Sequence, residues 1–286
     1  MVLPLRVSDY MIPEVVVVFP NDTLARARNL LLHHGISRLV VVDESSRPVG
    51  ILTETDVALA VLEESGRKSS RPIDMILVKE VMSSPFTSIG PRTYLKNAAL
   101  ALIKGGFSGL PVVESNGRLL GIITKTDISR AYAEHYRDLL PVSKVMSSPV
   151  ITVNPMHSIY RVGKLLREYN ISRVVVVDGK TPIGVVTKTD LTFMSIDYRP
   201  KRIKFEDIAR GDSSRRVIRT FRVPVVADIM TQNPLTVDLD EDSAEASAIM
   251  IENKISGLPV VDSANNLVGI ITKTDLVKAL SSLPAR

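Results

Sequence analysis

Apolar and polar positions follow the same order four times along the chain. In the third round, apolar residues spaced by three and four in "SIYRVGKLLREYN" (158–170) predict an amphipathic helix with Ser158 as its N-cap. Two short apolar runs follow, "SRVVVV" and "PIGVV", and the turn residues "DGKT" between them predict a hairpin. A second helix then begins at a Thr-x-x-Asp tetrad. An apolar lead segment precedes the first helix; in the third round it is "VMSSPVITVNP" (145–155). The pattern therefore predicts an α+β fold of four β-α-β-β-α units.

Each round ends on a closely repeated heptapeptide. "GIITKTD" occupies 121–127 and again 269–275, with "GILTETD" at 50–56 and "GVVTKTD" at 184–190. The final Asp always lies 44 or 45 residues after a Met in the lead segment, whereas successive copies are 71, 63 and 85 residues apart. The unit is therefore about 60 residues long and is joined by linkers of variable length.

The four copies fall into two pairs. Positions 109–128 and 257–276 are identical at 14 of 20 residues, and the first and third copies share "ISR" before four apolar residues. Because continuous apolar strands need cover on both faces, one copy is expected to bury its strands against another, so that the pair is the folding unit. The predicted domains are 1–66, 67–137, 138–197 and 223–286, with an insert at 198–222.

The insert carries the excess positive charge of the chain. Residues 197–222 hold nine Lys or Arg against four acids, and the net charge of the whole chain is +5. Three roles stay open: a solvated linker, a docking arm for nucleic acid or another protein, and a strap whose arginines reach a bound phosphate.

Composition excludes several classes of protein. The chain of 286 residues is 45% hydrophobic and 23% charged, which is typical of a folded globular protein. It shows neither a run of 18 apolar residues nor a signal peptide, so we expect a cytoplasmic protein without membrane contact. Cysteine is absent, and the four histidines (33, 34, 135 and 157) lack metal-binding spacing. Since no nucleophile and base recur, we expect no catalytic residues, no metal and no catalytic cofactor.

The recurring Thr-x-x-Asp has two compatible interpretations. As a capping box, the Thr hydroxyl and the acid satisfy free N–H groups at the start of the helix. As a ligand site, the carboxylate accepts the two hydroxyls of a ribose while the helix N-terminus favours an anion. The shortness of Asp for a capping box and the recurring Gly that opens each heptapeptide both favour the ligand site.

These residues together resemble a known family. The Met of the lead segment, "SGLPVV" with its turn and the Gly-h-h-Thr-x-x-Asp block are similar to the cystathionine beta-synthase (CBS) domain, and two copies resemble a Bateman module. Four copies resemble in layout the gamma subunit of AMP-activated protein kinase, which implies a flat disk of two modules. The resemblance implies that each Asp holds the ribose hydroxyls and that each Thr assists. The residues are Thr53, Asp56, Thr124, Asp127, Thr187, Asp190, Thr272 and Asp275.

A phosphate group needs a cation as well. The guanidinium groups of Arg38 and Arg173 in the "ISR" turns suit phosphate best, and a solvated charge at the start of a strand is the alternative. The resemblance implies that each arginine serves the paired copy, which favours the sites of Asp127 and Asp275. Glycine replaces this arginine in copies two and four, so the other two sites are expected to lack a cation.

Other polar residues near the tetrads are less decisive. Lys125, Lys188 and Lys273 follow the Thr, where a cation opposes the helix dipole, and we expect them to be solvated. Glu54 takes this place in copy one and would repel phosphate if it pointed inward. The resemblance also implies an adenine region in the lead segments: Ser88, Thr152 and Thr236. Buried strand packing is the alternative for these three.

The sequence therefore predicts a non-enzymatic regulatory module. We expect it to bind AMP, ADP or ATP in clefts between paired CBS repeats and to signal the nucleotide level to a partner protein. The alternative is a nucleic-acid-associated or scaffold protein that uses the basic segment 199–222, with the Thr-x-x-Asp groups acting only as helix caps. A homodimer is compatible with either function.

Overall fold

The computed structural model describes residues 5–65, 71–191 and 224–283 of the chain. The predicted basic insert at 198–222 lies outside these residues. The chain divides into two compact units: the first comprises Met1–Ser148, Thr236–Val260 and Gly269–Arg286, and the second comprises Pro149–Leu235 and Val261–Val268. None of the helices in the described ranges is long and apolar enough to cross a bilayer.

The first two repeats belong to the first unit. The elements of the first repeat are α1 (Val7–Tyr10), β1 (Val17–Val18), α2 (Leu24–His34), β2 (Arg38–Val42), β3 (Pro48–Thr53) and α3 (Glu54–Ser65). The second repeat comprises two 3-10 turns (Ile73–Met75 and Val78–Glu80), α4 (Leu95–Lys104), β4 (Gly109–Val113), β5 (Leu119–Thr124) and α5 (Lys125–His135). In the first repeat β1 runs parallel to β2, and the hairpins β2–β3 and β4–β5 are antiparallel.

The third and fourth repeats follow the same order. The third comprises α6 (Val142–Val145), β6 (Thr152–Val153), α7 (Ile159–Glu168), β7 (Arg173–Asp178) and β8 (Thr181–Thr187), and its last helix begins at 188. The fourth comprises a 3-10 turn (Val226–Asp228), β9 (Thr231–Gln232), β10 (Val237–Asp238), α8 (Ser243–Glu252), β11 (Gly257–Val261), β12 (Leu267–Thr272) and α9 (Lys273–Ser282). Gly179, at φ 61°, forms the turn between β7 and β8 and confirms that "GKT" belongs to a hairpin.

The predicted β-α-β-β-α order is confirmed, with one difference in the second repeat. There the lead strand is reduced to a single parallel bridge between Ile89 and Val112. Gly90 and Pro91 follow directly, and glycine weakens a strand while proline cannot donate a hydrogen bond to the ladder. The strand therefore ends after one residue pair.

Each lead segment pairs with the hairpin of its partner repeat. The backbone connections are Ile12 with Ile122, Ser83 with Ile51, Ser147 with Ile270, and the antiparallel ladder between β9 and β8. The first two lead segments are exchanged between repeats one and two, and the other two between repeats three and four. The two pairs predicted from the duplication are therefore present in the sheet pairing.

The Met of each lead segment packs against the Gly that opens the partner's heptapeptide. The contacts are Met11 on Gly121, Met82 on Gly50, Met146 on Gly269 and Met230 on Gly184. A Cβ atom on these glycines would lie 2.2 to 3.2 Å from the methionine Sδ, which is closer than van der Waals contact. Close packing explains why this glycine recurs, so the glycine by itself gives no support to ligand binding.

Apolar cores pack the hairpins of the first and third repeats against their helices. In the first repeat, Leu24 of α2 packs with Leu39 and Leu52 of the hairpin, and all three are fully buried. A second cluster joins Val40 of β2 to Ile122 of β5. The apolar strands of the first pair are thus covered by their own helix on one side and by the partner hairpin on the other.

Helices of the second and fourth repeats pack together within the first unit. The helix α5 packs on α8, and both α4 and α5 pack on α9. The hydroxyl groups of Tyr132 and Ser243 are hydrogen-bonded at 2.9 Å, and the Oγ of Ser247 donates to the backbone oxygen of Ser129. These contacts explain why most of the fourth repeat belongs to the first unit.

Candidate functional site

All four Thr-x-x-Asp tetrads form a helix cap. In each tetrad the backbone N–H and the hydroxyl of Thr donate to the same carboxylate oxygen, Oδ2, at 2.5 to 2.9 Å. The backbone N–H groups of Asp56, Asp190 and Asp275 also donate to the Oγ1 of their Thr at 3.2 to 3.3 Å. The short side chain of Asp therefore completes the cap, and its length is no argument against capping.

The hydrogen bonding of the second carboxylate oxygen, Oδ1, differs between the sites of Asp127 and Asp275 in the first unit. Asp127 is fully buried, and its Oδ1 accepts no hydrogen bond from the described residues, although Nη1 of Arg130 lies 3.6 Å away. The Oδ1 of Asp275 accepts a hydrogen bond of 2.9 Å from the hydroxyl of Ser147. Ile12 occupies the equivalent position in the first repeat and has no hydroxyl to donate. The Oδ1 of Asp127 is therefore a buried acceptor atom without a hydrogen-bond donor among the described residues.

Burial raises the pKa of Asp127 above its usual value because removal from water disfavours the carboxylate. The hydrogen bonds from Thr124 and the positive charges of Arg130 and Arg38 oppose this shift. A buried acceptor without a donor costs roughly 1–3 kcal/mol. A group that donated to Oδ1 would recover much of this free energy.

The side chain of Arg38, in the first repeat, reaches the backbone of the second repeat. Its Nη2 donates to the Oγ of Ser37 at 2.8 Å, and its Nη1 donates to the backbone oxygen of Ser108. The Nε is buried and has no hydrogen-bond partner in the part of the chain that the structure describes. Burial lowers the pKa of Arg38, while the negative charges of Asp127 and Glu54 raise it. The structure thus places Arg38 near Asp127.

Gly109 makes room for this guanidinium. A Cβ atom at position 109 would lie 2.6 Å from Nη1 of Arg38 and 3.2 Å from Cγ2 of Thr124. Glu54 lies near the same guanidinium: burial raises the pKa of its half-buried carboxyl, and the charge of Arg38 opposes that shift. The Gly of "SGLPVV" in repeat two and the Arg of "ISR" in repeat one are therefore complementary.

Arg173 occupies the equivalent position in the second unit. It begins β7 opposite Thr187, as Arg38 begins β2 opposite Thr53. Asp275, for which Arg173 is the predicted cation, belongs to the first unit. The assignment of Arg173 to that site stays a prediction.

Lys125 and Lys273 are not solvated as expected. The Nζ of Lys125 donates to the Oγ1 of Thr274 at 3.0 Å, and the Nζ of Lys273 donates to the Oγ1 of Thr126 at 3.2 Å. Both lysines are partly buried, whereas Lys188 is exposed. The sequence analysis missed this exchange, and the tetrads carry no signal for it, because Thr-Lys-Thr-Asp occurs in repeat three as well as in repeats two and four.

The residues predicted for adenine lie in the lead segments. Thr152 is exposed in β6, so buried strand packing does not explain it. Thr236 and Ser88 are partly buried and precede β10 and the bridge at Ile89, respectively. Their contact with a ligand stays a prediction. Within the ranges that the structure describes, no group of three or more His, Asp or Glu is placed to hold a metal ion.

The geometry and the repeats agree with one family. The model of the CBS domain matches residues 7–63, 78–134, 142–196 and 226–282. The chain belongs to the CBS domain family. Each matched segment contains one Thr-x-x-Asp and the hairpin before it, so the four CBS repeats predicted from the sequence are confirmed.

Two proteins of Methanocaldococcus jannaschii are similar over almost all of this CBS chain. The uncharacterized protein MJ1404 is 29% identical over 283 residues, which are 97% of this chain and 62% of MJ1404. This chain therefore spans less than two thirds of that relative. Protein MJ1225, a proposed archaeal homologue of g-AMPK, has a crystal structure that matches 96% of this chain and 99% of its own with a TM-score of 0.77. At 22% identity this likeness shows the fold.

CBS sequence also occurs in an enzyme of the same organism. L-aspartate semialdehyde sulfurtransferase of Methanocaldococcus jannaschii is 33% identical over 130 residues, which are 44% of this chain and 25% of the enzyme. The shared segment is thus a quarter of that enzyme, and CBS-domain proteins are in general regulatory.

Proposed function

We propose that this chain is a regulatory protein that binds an adenine nucleotide, AMP, ADP or ATP, at the site of Asp127. One observation carries the proposal: Asp127 and Arg38 come from two repeats, and the Oδ1 of one and the Nε of the other are buried without hydrogen-bond partners among the described residues. Buried polar atoms in this state are uncommon in folded proteins. A ligand that offers both a donor and an anionic acceptor would satisfy them.

A nucleotide offers both groups. The vicinal hydroxyls of its ribose would donate to Oδ1 of Asp127, and its phosphate would accept from the guanidinium of Arg38, which matches phosphate in shape and charge. Thr124 remains in the cap and fixes the orientation of the carboxylate. For the adenine ring the proposal keeps Ser88 in the lead segment of the second repeat, and it keeps Thr152 and Thr236 for the same role in the third and fourth repeats.

The four sites would differ in strength. At Asp275 a ribose must displace the hydroxyl of Ser147, and Arg173 is the proposed source of the cation. The sites of Asp56 and Asp190 would be weaker, because glycine stands where a partner copy would supply the arginine. The remaining threonines of the tetrads, Thr53, Thr187 and Thr272, would hold their aspartates in the same way as Thr124.

Binding between repeats supplies a regulatory mechanism. The ligand would contact Arg38 from one repeat and Asp127 from its partner, so it would favour the arrangement of the module in which both are in place. A partner protein that distinguishes this arrangement would then respond to the nucleotide. We assign the chain no catalytic activity and a cytoplasmic location. The nucleic-acid alternative depends on 199–222, which lies outside the described residues.

Titration calorimetry with AMP, ADP, ATP and S-adenosylmethionine tests the proposal. Asp127→Asn keeps an oxygen for the cap but replaces Oδ1 with an amide that cannot accept a ribose hydroxyl. We expect saturable nucleotide binding that Asp127→Asn and Arg38→Gln each weaken by roughly tenfold or more. Asp190→Asn, in the tetrad of the third repeat, is the matched control and should change this affinity little. Absence of nucleotide binding, or full affinity in both variants, would refute the proposal.

A further inference from the structure

The buried carboxylate of Asp127 has a cation one helical turn away on its own helix. Nη1 of Arg130 lies 3.6 Å from Oδ1 of Asp127, and both residues belong to α5. This separation is too long for a hydrogen bond, so Arg130 brings positive charge to Oδ1 without occupying its lone pairs. The oxygen therefore stays able to accept a hydrogen bond from a ligand.

The site of Asp275 is stabilised in a different way. The residue of α9 that corresponds to Arg130 is Lys278, which is exposed and forms no ion pair with Asp275 within the described ranges. The Oδ1 of Asp275 accepts a hydrogen bond from the hydroxyl of Ser147 instead. One carboxylate thus has a neutral donor that occupies the oxygen, and the other has a nearby charge that leaves the oxygen open.

The guanidinium of Arg130 is partly in water. Its side chain is 44% exposed and lies beside a groove of about 400 Å³ between α5 and α8. The other residues around the groove are Ala133, Glu134, Arg137, Ala248, Ile251 and Glu252. Among the described residues, Asp127 is the only acid within ion-pair distance of Arg130. The charge of Arg130 is therefore available to Asp127.

Other charged or titratable groups also face this part of α5. They are Asp9 and Tyr10 from α1, Arg38 from β2, Lys96 from α4, Glu252 from α8 and Lys273 from α9. Burial raises the pKa of Asp127, and the hydrogen bonds from Thr124 together with the charges of Arg130 and Arg38 oppose that shift. Arg38 has a proposed contact with the phosphate, whereas Arg130 has only Asp127 to act on.

We infer that Arg130 is a positioning residue that holds Asp127 in its ionised form and thereby sets the pH below which the site loses its ligand. This inference rests on the proposed function and adds a residue that acts through Asp127 without touching the ligand. Only the ionised carboxylate is free to accept at both oxygens, with Oδ2 in the cap and Oδ1 on the ribose. Removal of the charge therefore weakens binding in acid and has no effect where Asp127 is ionised in any case.

The pH dependence of AMP affinity tests this role. Titration calorimetry in Asp275→Asn protein, where the Asp127 site dominates, compares Arg130→Gln with Arg137→Gln, which removes the same charge from the same groove. On the alkaline plateau the two variants should bind AMP within about twofold of each other. In acid Arg130→Gln should be weaker by roughly threefold, a modest factor because the guanidinium is partly exposed. Arg130→Lys keeps the charge and should restore most of the affinity lost in acid.

Two results would overturn the inference while nucleotide binding stands. A defect of the same size at every pH would show that Arg130 contacts the ligand, and a profile that matches Arg137→Gln would show that Arg130 does not act on Asp127. If the unmodified protein binds no nucleotide, the proposed function fails.

The carboxyl ¹³C resonance of Asp127 in the ligand-free protein gives a test that does not depend on nucleotide binding. Its titration midpoint should lie at higher pH in Arg130→Gln than in the unmodified protein, because the ionised form has lost a nearby positive charge. Arg137→Gln should leave the midpoint close to that of the unmodified protein. An unchanged midpoint in Arg130→Gln would overturn the inference whether or not a nucleotide binds.

Discussion

The hydroxyl of Ser147 donates a hydrogen bond of 2.9 Å to Oδ1 of Asp275, whereas its counterpart beside Asp127 is Ile12, which has no donor in its side chain. Two tetrads with the same Thr-Lys-Thr-Asp sequence are therefore unequal. The difference comes from the lead segment of the partner repeat and not from the tetrad itself. Occupancy of the sites should follow this difference.

Ser147→Ala should strengthen nucleotide binding at the Asp275 site by roughly fivefold, because the ligand no longer displaces a hydrogen bond worth about 1 kcal/mol. Titration calorimetry in Asp127→Asn protein measures this effect with the other first-unit site weakened. Ser83→Ala, at the equivalent position of the second repeat, is the control. Affinity that is unchanged or lower in Ser147→Ala would show that the hydroxyl does not compete with the ligand.

Gly109→Ala should weaken nucleotide binding at the Asp127 site by roughly tenfold, because the added methyl group displaces the guanidinium of Arg38 and its charge-assisted hydrogen bonds. The new Cβ would lie 2.6 Å from Nη1 of Arg38. Gly90→Ala is the control, since its nearest neighbouring atom, the Oγ1 of Thr93, would be 4.0 Å away. Full affinity in Gly109→Ala would mean that Arg38 can leave its place without loss of binding.

Gly121→Ala should lower the free energy of unfolding by about 1–3 kcal/mol, because overpacking forces the backbone to move. Its Cβ would lie 2.7 Å from the backbone oxygen of Ile12, which cannot rotate away as a side chain can. Gly163→Ala in α7 meets its nearest atom at 3.8 Å and should stabilise the protein by about 0.5–1 kcal/mol through helix propensity. Urea unfolding of both variants checks the prediction. If Gly121→Ala were as stable as the unmodified protein, the packing explanation for the recurring glycine would fail.

Asp127 should make the protein less stable as pH rises through the acidic range. Burial raises the pKa of this carboxyl above its usual value of 3.8, so between 3.8 and the raised value the folded state holds a proton that the unfolded chain has lost. The free energy of unfolding therefore falls with increasing pH across that interval. Asp127→Asn removes the effect, and denaturant unfolding at a series of pH values should show a flatter profile for the variant. Parallel profiles would contradict the assigned shift.

Nucleotide binding should show the opposite pH dependence. A ribose hydroxyl donates to the ionised carboxylate, so AMP affinity should rise as pH increases from 3.8 towards and through the raised pKa of Asp127. Binding near that pKa should also release protons, which calorimetry in buffers of different ionisation enthalpy detects. Proton uptake, or an affinity independent of pH in this range, would show that Asp127 is not the acceptor.

Local features were predictable from the sequence. The hairpin turn at Gly179, the helices with apolar spacing and the caps at Thr-x-x-Asp depend on residues close together in the chain, and a fourfold repeat makes them conspicuous. Arg38 was named as a candidate because only a few residue types can hold a phosphate; the structure places it near Asp127, and its contact with a phosphate stays a prediction. The family followed from these features.

Long-range contacts were not predictable in the same way. Lys125 and Lys273 reach acceptors 149 and 147 residues away, and nothing in either tetrad specifies that partner. The recurring glycine was assigned to ligand binding, although it recurs because a methionine of the partner repeat packs on it. In both cases the determining contact comes from another repeat, which a motif within one repeat does not display.

A crystal structure of the protein with AMP tests the central claim most directly. The account predicts that the ribose hydroxyls lie within hydrogen-bond distance of Oδ1 of Asp127 and that the phosphate contacts the guanidinium of Arg38. At saturating AMP, a ligand bound elsewhere with Oδ1 still unbonded, or no ligand at all, would contradict it.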